Sequence, residues 1–311
     1  MGIKGYPTGE NWRRTKEGIY APVAHGIFTD WLPGWRYRKQ ANLNRASGAV
    51  ANYQMKILVG ESDGAAGASI SCEGLCKSDF SDIRFAATDL ITLQDIWLES
   101  ITGTTPNQIA TFWAEYTSID TVAVPVPIYF GNAEAAAVSN GANTFRFFDD
   151  FPGSTLNTTT NWNLDAGDIA VGSSHLTLTG TAGTRGQITS KTAFAKPLRI
   201  QSKCQNSGTT IDSSHIISLS NNAITHYSLV YGSTTAGKLR LQRKDGTTDP
   251  GTTDVSVTLT GDNIYEQTWA TEAIILKANG ATLNTYTTNL PTADMEVYLR
   301  EGITVGATSN I

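Results

Sequence analysis

A period of two runs through almost the whole chain and limits its fold more than any other feature. From Trp35, WRYRKQANLN sets Trp35, Tyr37, Lys39, Ala41 and Leu43 on one face and Arg36, Arg38, Gln40, Asn42 and Asn44 on the other, the pattern of a half-buried antiparallel strand. YQMKILV (53–59), IATFWAEY (109–116) and VPIYFGN (126–132) continue in the same style, with ESDGAAGAS and ITGTTPNQ as loops. Pro125 and Pro127 place the last of these at an edge or a strand start, because proline cannot donate to a ladder. After Ser154 the rhythm returns in HLTLTG, RGQITS, LRIQSKC, HIISLS, HYSLVY, KLRLQRK, DVSVTLT, TEAIILKANG and MEVYLRE. So many short alternating segments, with almost no helical period, predict an all-β fold of antiparallel β-sandwiches of the jelly-roll type.

A chain of 311 residues suits two such sandwiches in tandem, since single cores tend to divide above roughly 250 residues. The division falls at FRFFDDFPGS (145–154). On a straight strand Phe145, Phe147 and Asp149 share one face, and Arg146, Phe148 and Asp150 the other, until Phe151-Pro152-Gly153 breaks it and LNTTTNW follows as a loop ending on Trp162. The segment reads as a connector that becomes the first strand of the second sandwich. This gives an N-terminal arm at 1–33, a first sandwich at 34–144 and a second at 145–311. Acids on opposite sides of a strand do not make the convergent pair that acid–base chemistry needs. Asp149 and Asp150 remain candidates for holding Ca²⁺, and no other cofactor is expected.

The arm is irregular, rich in Gly and Pro, and too apolar for a solvated tail, with Tyr6, Trp12, Tyr20, Phe28 and Trp31 as its sticky residues. Burial of such a segment offsets the cost of ordering it, either around its own domain or in a neighbouring subunit. Residues 1–45 hold eight Lys or Arg against three Asp or Glu, and the remainder fifteen against twenty-five. The basic start is either a dock for an acidic neighbour, a second copy included, or an ordinary solvated terminus. The acidic body makes nucleic acid a poor partner.

No run of about eighteen apolar residues is present to insert in a membrane. The first residues lack the apolar segment of a secretory signal, and Tyr6 stands where myristoylation needs Ser or Thr. The expectation is a chain made in the cytoplasm without a signal peptide that ends in a virion or an extracellular surface assembly. Cys72 and Cys76, in a C-x-x-x-C loop, could close a small disulfide, but an odd third thiol, Cys204, argues for reduced cysteines. His25, His175, His215 and His226 show no spacing that would complete a zinc site.

The order WRYRK (35–39), DFSDIRF (79–85), IWLES (96–100), TFWAEY (111–116), VPIYFGN (126–132) and FFDDFPGS (147–154) resembles a β-domain family known only as a domain of unknown function. It occurs in prokaryotic surface proteins and phage genomes. The resemblance covers roughly residues 34–135. Members are often followed by a concanavalin-like, or laminin-G-like, sandwich that opens with F-x-D-D-F and a downstream Trp. Phe147 to Phe151 and Trp162 are similar to that opening, which implies such a fold for 145–311.

Glycosidases on such sandwiches carry E-x-D-x-E along one strand. Here ADMEVYLRE offers Asp294 and Glu296 on one face, with Tyr298 next and Glu301 out of phase. Serine-nucleophile, phosphate-loop and dinucleotide signatures are missing. Trp97, Trp113 and Trp269 lie in apolar strands and are expected in cores. The expected function is a non-enzymatic structural or attachment protein of a virion (tail, baseplate or decoration) or surface assembly. Its partners would be other proteins of that assembly, further copies of itself and a cell-surface glycan held by the second sandwich. The alternative is a carbohydrate-active enzyme, glycoside hydrolase-like, using Asp294 and Glu296.

Overall fold

The computed structural model describes residues 12–14, 20–22, 31–43, 50–119, 122, 124–179, 186–206, 215–221, 223–233, 235–258, 261–300 and 308–310. The chain separates into two compact units, Met1–Phe148 and Asp149–Ile311, each built of antiparallel sheets.

The N-terminal unit holds β1 (Trp12–Arg14), β2 (Tyr20–Pro22), β3 (Tyr37–Leu43), β4 (Val50–Gly60), β5 (Ile70–Ser71), β6 (Arg84–Phe85), β7 (Ile96–Thr102), β8 (Ile109–Ile119), β9 (Val124–Phe130) and the short helix α1 (Gly141–Thr144). One sheet runs β1-β2-β3-β9-β6 and the other β5-β4-β8-β7; the brief β4–β5 pairing is parallel. Their facing sides bury Ile57, Val59, Phe85, Phe112, Ile128 and Phe130 in one core. Pro125 and Pro127 pair with β3, and beyond the short β6 ladder at Ile128 and Tyr129 Pro127 acts only as an acceptor, taking Ala86 N on its carbonyl at 3.0 Å.

Part of the expected irregular arm has regular backbone. Trp12 pairs with Pro22 in a hairpin, and Tyr20 pairs with Arg38 of β3, so the arm extends the first sheet of its own unit. Trp31 is 6% exposed, edge-on to Tyr129 at 5.5 Å with the Arg38 guanidinium 4.6 Å over its ring. Trp31, one of the expected assembly contacts, is thus enclosed within its own unit. Tyr6 and Phe28 lie outside the described residues.

FRFFDDFPGS is not a strand, and this corrects the expectation drawn from its alternation. Phe145 and Phe148 stack on each other and both pack edge-on against Trp97, at 5.7 and 4.9 Å; Phe145 also meets Trp113 at 5.7 Å. Those tryptophans stand on the face of β7 and β8 turned away from the core. The aromatic segment covers that face, which is why β8 is buried on both sides. Each such pair contributes about 1 kcal/mol beyond the area it buries. Gly141 is required here, since a Cβ would lie 2.3 Å from the Phe148 ring.

The C-terminal unit begins with Asp149, whose Oδ1 accepts from Phe151 N at 2.8 Å. Its Oδ2 accepts from Asn161 Nδ2 at 3.1 Å and from Trp162 Nε1 at 2.7 Å. Phe151 stacks on Trp162, 6.1 Å between centroids. Asp149, Phe151 and the downstream Trp162 thus form one structural latch.

The strands that follow are β10 (Trp162–Ala166), β11 (Asp168–Gly172), β12 (His175–Thr179), β13 (Gln187–Phe194), β14 (Leu198–Asn206), β15 (His215–Ser220), β16 (His226–Gly232), β17 (Lys238–Asp245), β18 (Thr252–Ser256), β19 (Gly261–Trp269), β20 (Ile274–Ala278), β21 (Ala281–Tyr286), β22 (Met295–Arg300) and β23 (Thr308–Asn310). They form two seven-stranded sheets, β10-β13-β22-β15-β16-β17-β18 and β11-β12-β23-β14-β19-β20-β21. The result is an antiparallel β-sandwich of two seven-stranded sheets. Val230, Leu241, Tyr265 and Leu276 meet in its core, and Ser228 Oγ donates to Gln267 Oε1 across it at 2.7 Å.

All three cysteines are free. Burial pushes the Cys204 thiol up to about 12, so it is protonated and shielded at neutral pH. In the native protein a maleimide is expected to label half-buried Cys76 first and Cys204 only on unfolding. Mass spectrometry of pulse-labelled protein checks this, and native labelling of Cys204 at the Cys76 rate would contradict the burial described.

Candidate functional site

The two sheets of the C-terminal unit turn different surfaces outward. On β14, β19 and β20 the outward positions carry charged side chains: Lys203 pairs with Asp262 at 2.8 Å, and Glu266 with Arg199 at 3.9 Å and Lys277 at 3.4 Å. Pairs of this kind, with the basic partner well exposed, contribute little and are screened by salt. This is an ordinary solvated face.

On the other sheet the same phase of the alternation carries Tyr, His, Gln and Arg. Ile188, Leu299, Leu219, Val230 and Leu241 all go inward and are buried, which leaves the intervening positions pointing out. Gln187, Arg300, His215, Tyr231, Arg240 and Asp254 are successive register partners across β13, β22, β15, β16, β17 and β18. At about 4.8 Å per strand this row spans about 24 Å. Tyr298, paired with Thr189 and Ser218, stands one position along.

These side chains hold one another in place. The His215 ring stacks on Tyr231 at 5.1 Å and meets Tyr298 edge-on at 5.0 Å. Tyr298 OH donates to Gln187 Oε1 at 3.0 Å and accepts from Arg300 Nη1 at 3.3 Å. Tyr231 OH donates to Gln242 Oε1 at 3.2 Å. Gln242 Nε2 and Tyr227 OH both donate to Asp249 Oδ2, each at 2.7 Å. Arg240 holds Asp254 with two nitrogens, at 2.9 and 3.3 Å. Burial raises both Tyr227 and Tyr231, and the neighbouring Asp249 reinforces this at Tyr227, so both hydroxyls keep their protons as donors. Rings fixed edge to face, with amides and guanidinium groups already oriented, need little ordering when a ligand arrives.

The sequence-predicted acids are placed differently. Asp294 precedes β22 and is exposed, while Glu296 lies on the strand, half-buried. Its register partners are Ala193 and Ser220, so no carboxylate faces it from the adjoining strands. The strand begins at Met295, so the alternation that would align the two residues does not extend back to Asp294. Burial, followed by the more distant Asp165, raises Glu296. The two calcium candidates sit in different surroundings. Asp149 is committed to three donors, Asp150 is exposed, and among the described residues no group of three or more His, Cys, Asp or Glu is placed to hold a metal. No described helix is long and apolar enough to cross a membrane.

Sequence reasoning missed the outward row. The available signal was HYSLVY, whose outward phase carries Tyr227, Leu229 and Tyr231 where LRIQSKC carries Arg199, Gln201 and Lys203.

Residues 79–165 match the model of a family described as a domain of unknown function, DUF2341. The match includes the latch from Asp149 to Trp162 and leaves WRYRK (35–39) outside it. No curated protein sequence matches the chain. Among solved structures, the apo Crh5 transglycosylase is similar at 18% identity and a TM-score of 0.44, over 52% of this chain and 78% of that one. The β-glucanase of Bacillus licheniformis is similar at 12% and 0.43, over 53% and 94%. The laminarinase of Flavobacterium sp. UMI-01 is similar at 13% and 0.43, over 52% and 94%.

Proposed function

We propose that this chain is a non-enzymatic attachment or structural protein of a virion or surface assembly, and that its C-terminal sandwich binds saccharide on the outward face of the β10–β18 sheet. One observation carries the saccharide reading: the polar phase of that sheet is a row of interlocked aromatic rings, amides and guanidinium groups. The opposite sheet, built from the same kind of strands, shows ordinary ion pairs. Sugar rings offer apolar C–H faces to aromatic side chains and hydroxyls to amide and charged groups, and this row supplies both. The Thr- and Asn-rich strands and the tandem sandwiches support the assembly context, with other proteins of the assembly and further copies of the chain as partners.

A saccharide panel in affinity electrophoresis tests the binding. Wild-type protein is expected to be retarded by at least one polysaccharide, and Tyr231→Ala, which removes a half-buried ring from the centre of the row, to weaken that retardation about tenfold. Retardation by none, or an unchanged Tyr231→Ala, would overturn the reading. Light scattering at micromolar concentration tests self-assembly, and a strict monomer would remove the homo-oligomer.

The raised, half-buried Glu296 keeps a second reading open, that of a glycoside hydrolase-like enzyme with Glu296 as its acid. On the proposal, polysaccharides incubated with the protein release no new reducing ends. Release that disappears in Glu296→Gln would establish the enzyme instead.

A further inference from the structure

Resting on the saccharide reading of the same face, we propose that the ligand is an acidic saccharide, one bearing carboxylate or sulfate, and that its anionic group sits on Arg300. Arg300 is half-buried in the row between Gln187 and His215. Its Nη1 reaches a neutral partner, the Tyr298 hydroxyl, at 3.3 Å. Its Nε is buried without a hydrogen-bond acceptor among the described residues. None of the ion pairs among the described residues involves it.

The contrast with Arg240 in the same row is direct, because Arg240 is held by both oxygens of Asp254. A guanidinium donor taken out of water without an acceptor is costly, and native structures supply the acceptor from protein, water or ligand. The planar fork of an arginine matches the paired oxygens of a carboxylate or sulfate. Tyr298, held between Arg300 and Gln187, and the His215 ring beside it fix the walls of the seat. Tyr231, on the next strand, offers an apolar ring to the sugar that carries the anion. The sheet face therefore divides its work: the rings bind any sugar, and Arg300 selects the charged one.

The test uses the full-length protein and two matched pairs of polymers. Polygalacturonate and its fully methyl-esterified form differ in the carboxylate, and κ-carrageenan and agarose in the sulfate. Affinity electrophoresis measures each against wild type, Arg300→Gln, Arg300→Lys and Tyr231→Ala, with circular dichroism melts to show that every variant is folded.

At least one acidic polymer is expected to bind wild type ten or more times better than its uncharged counterpart, and Arg300→Gln is expected to erase that difference. Arg300→Lys, which keeps the stem and charge but loses the fork, should fall between them, and it serves as the test if Arg300→Gln does not fold. Tyr231→Ala should weaken both members of a pair. Which pair shows the preference separates carboxylate from sulfate. Equal binding of charged and uncharged polymers, unaffected by Arg300→Gln but weakened by Tyr231→Ala, would overturn the anion seat and leave the saccharide face standing. Failure of all four polymers to bind would overturn both.

Discussion

Asp82→Ala is expected to destabilise the N-terminal unit by about 3 kcal/mol, from the loss of hydrogen bonds to a buried charged group. Asp82 is 0% exposed. Its Oδ1 accepts from Lys77 N at 3.0 Å and its Oδ2 from Gly131 N at 2.7 Å, while its backbone oxygen accepts from Trp35 Nε1 at 2.7 Å. Removing the carboxylate leaves the backbone N–H groups of half-buried Lys77 and Gly131 without these acceptors. Gly131 cannot adapt easily. Its φ is +82° and a Cβ there would fall 2.3 Å from the Tyr37 ring, so the turn after β9 is set by close packing as well as by Asp82. Arg84 completes the arrangement, 5.0 Å over Trp35 and donating to the carbonyls of Ser81, Ile83 and Ala136. Urea unfolding of the full chain, followed by near-ultraviolet circular dichroism, should show the N-terminal transition moved and the C-terminal one unmoved. Asp82→Asn, which keeps one acceptor, should lose about half as much. A shift below about 0.5 kcal/mol for Asp82→Ala would show that the carboxylate does not organise this unit.

The same residues explain why the signature of the N-terminal unit says so little about activity. WRYRK, DIRF and IYFGN converge at Trp35, Asp82, Arg84 and Gly131, and each makes a packing or hydrogen-bonding contact that holds a turn. Charged residues such as Asp82 and Arg84 look functional in a sequence, but here both are buried with backbone partners. Burial and partner are three-dimensional facts that spacing does not carry. Period two was enough to predict strands such as β3, β4, β8, β9, β12 to β17, β20 and β22, because each buried face requires it, but it did not single out β10, β11, β19 or β21. It misread FRFFDD, where Phe145 and Phe148 act as a cover over Trp97 and Trp113 from outside a sheet. Two sheet faces with the same alternation also read alike until register is known. HYSLVY, KLRLQRK and MEVYLRE become one surface only because β22, β15, β16 and β17 are neighbours, an order that chain succession does not imply.

Asp149→Ala is expected to destabilise the C-terminal unit by about 2–3 kcal/mol, which for a unit of this size lowers its melting temperature by about 8 °C. The carboxylate joins the backbone of Phe151 to the side chains of Asn161 and Trp162. It therefore fixes a long irregular entry whose first ladder contact is Trp162 opposite Ser190. Without it the 2% exposed indole of Trp162 loses its charged acceptor, and the Phe151 stack loses the turn that presents it. The adjacent Asp150, exposed and outside the latch, provides the control: Asp150→Ala should leave the melt within about 1 °C. Calcium separates this latch from a metal site, since a bound ion would raise the melting temperature with concentration. Differential scanning calorimetry with 5 mM CaCl₂ or EDTA should give superimposable transitions for wild type. A calcium-dependent rise lost in both Asp149→Ala and Asp150→Ala would mean that the two acids cooperate around an ion. An unchanged melt for Asp149→Ala would mean that the indole and the Phe151 stack hold the entry without the carboxylate.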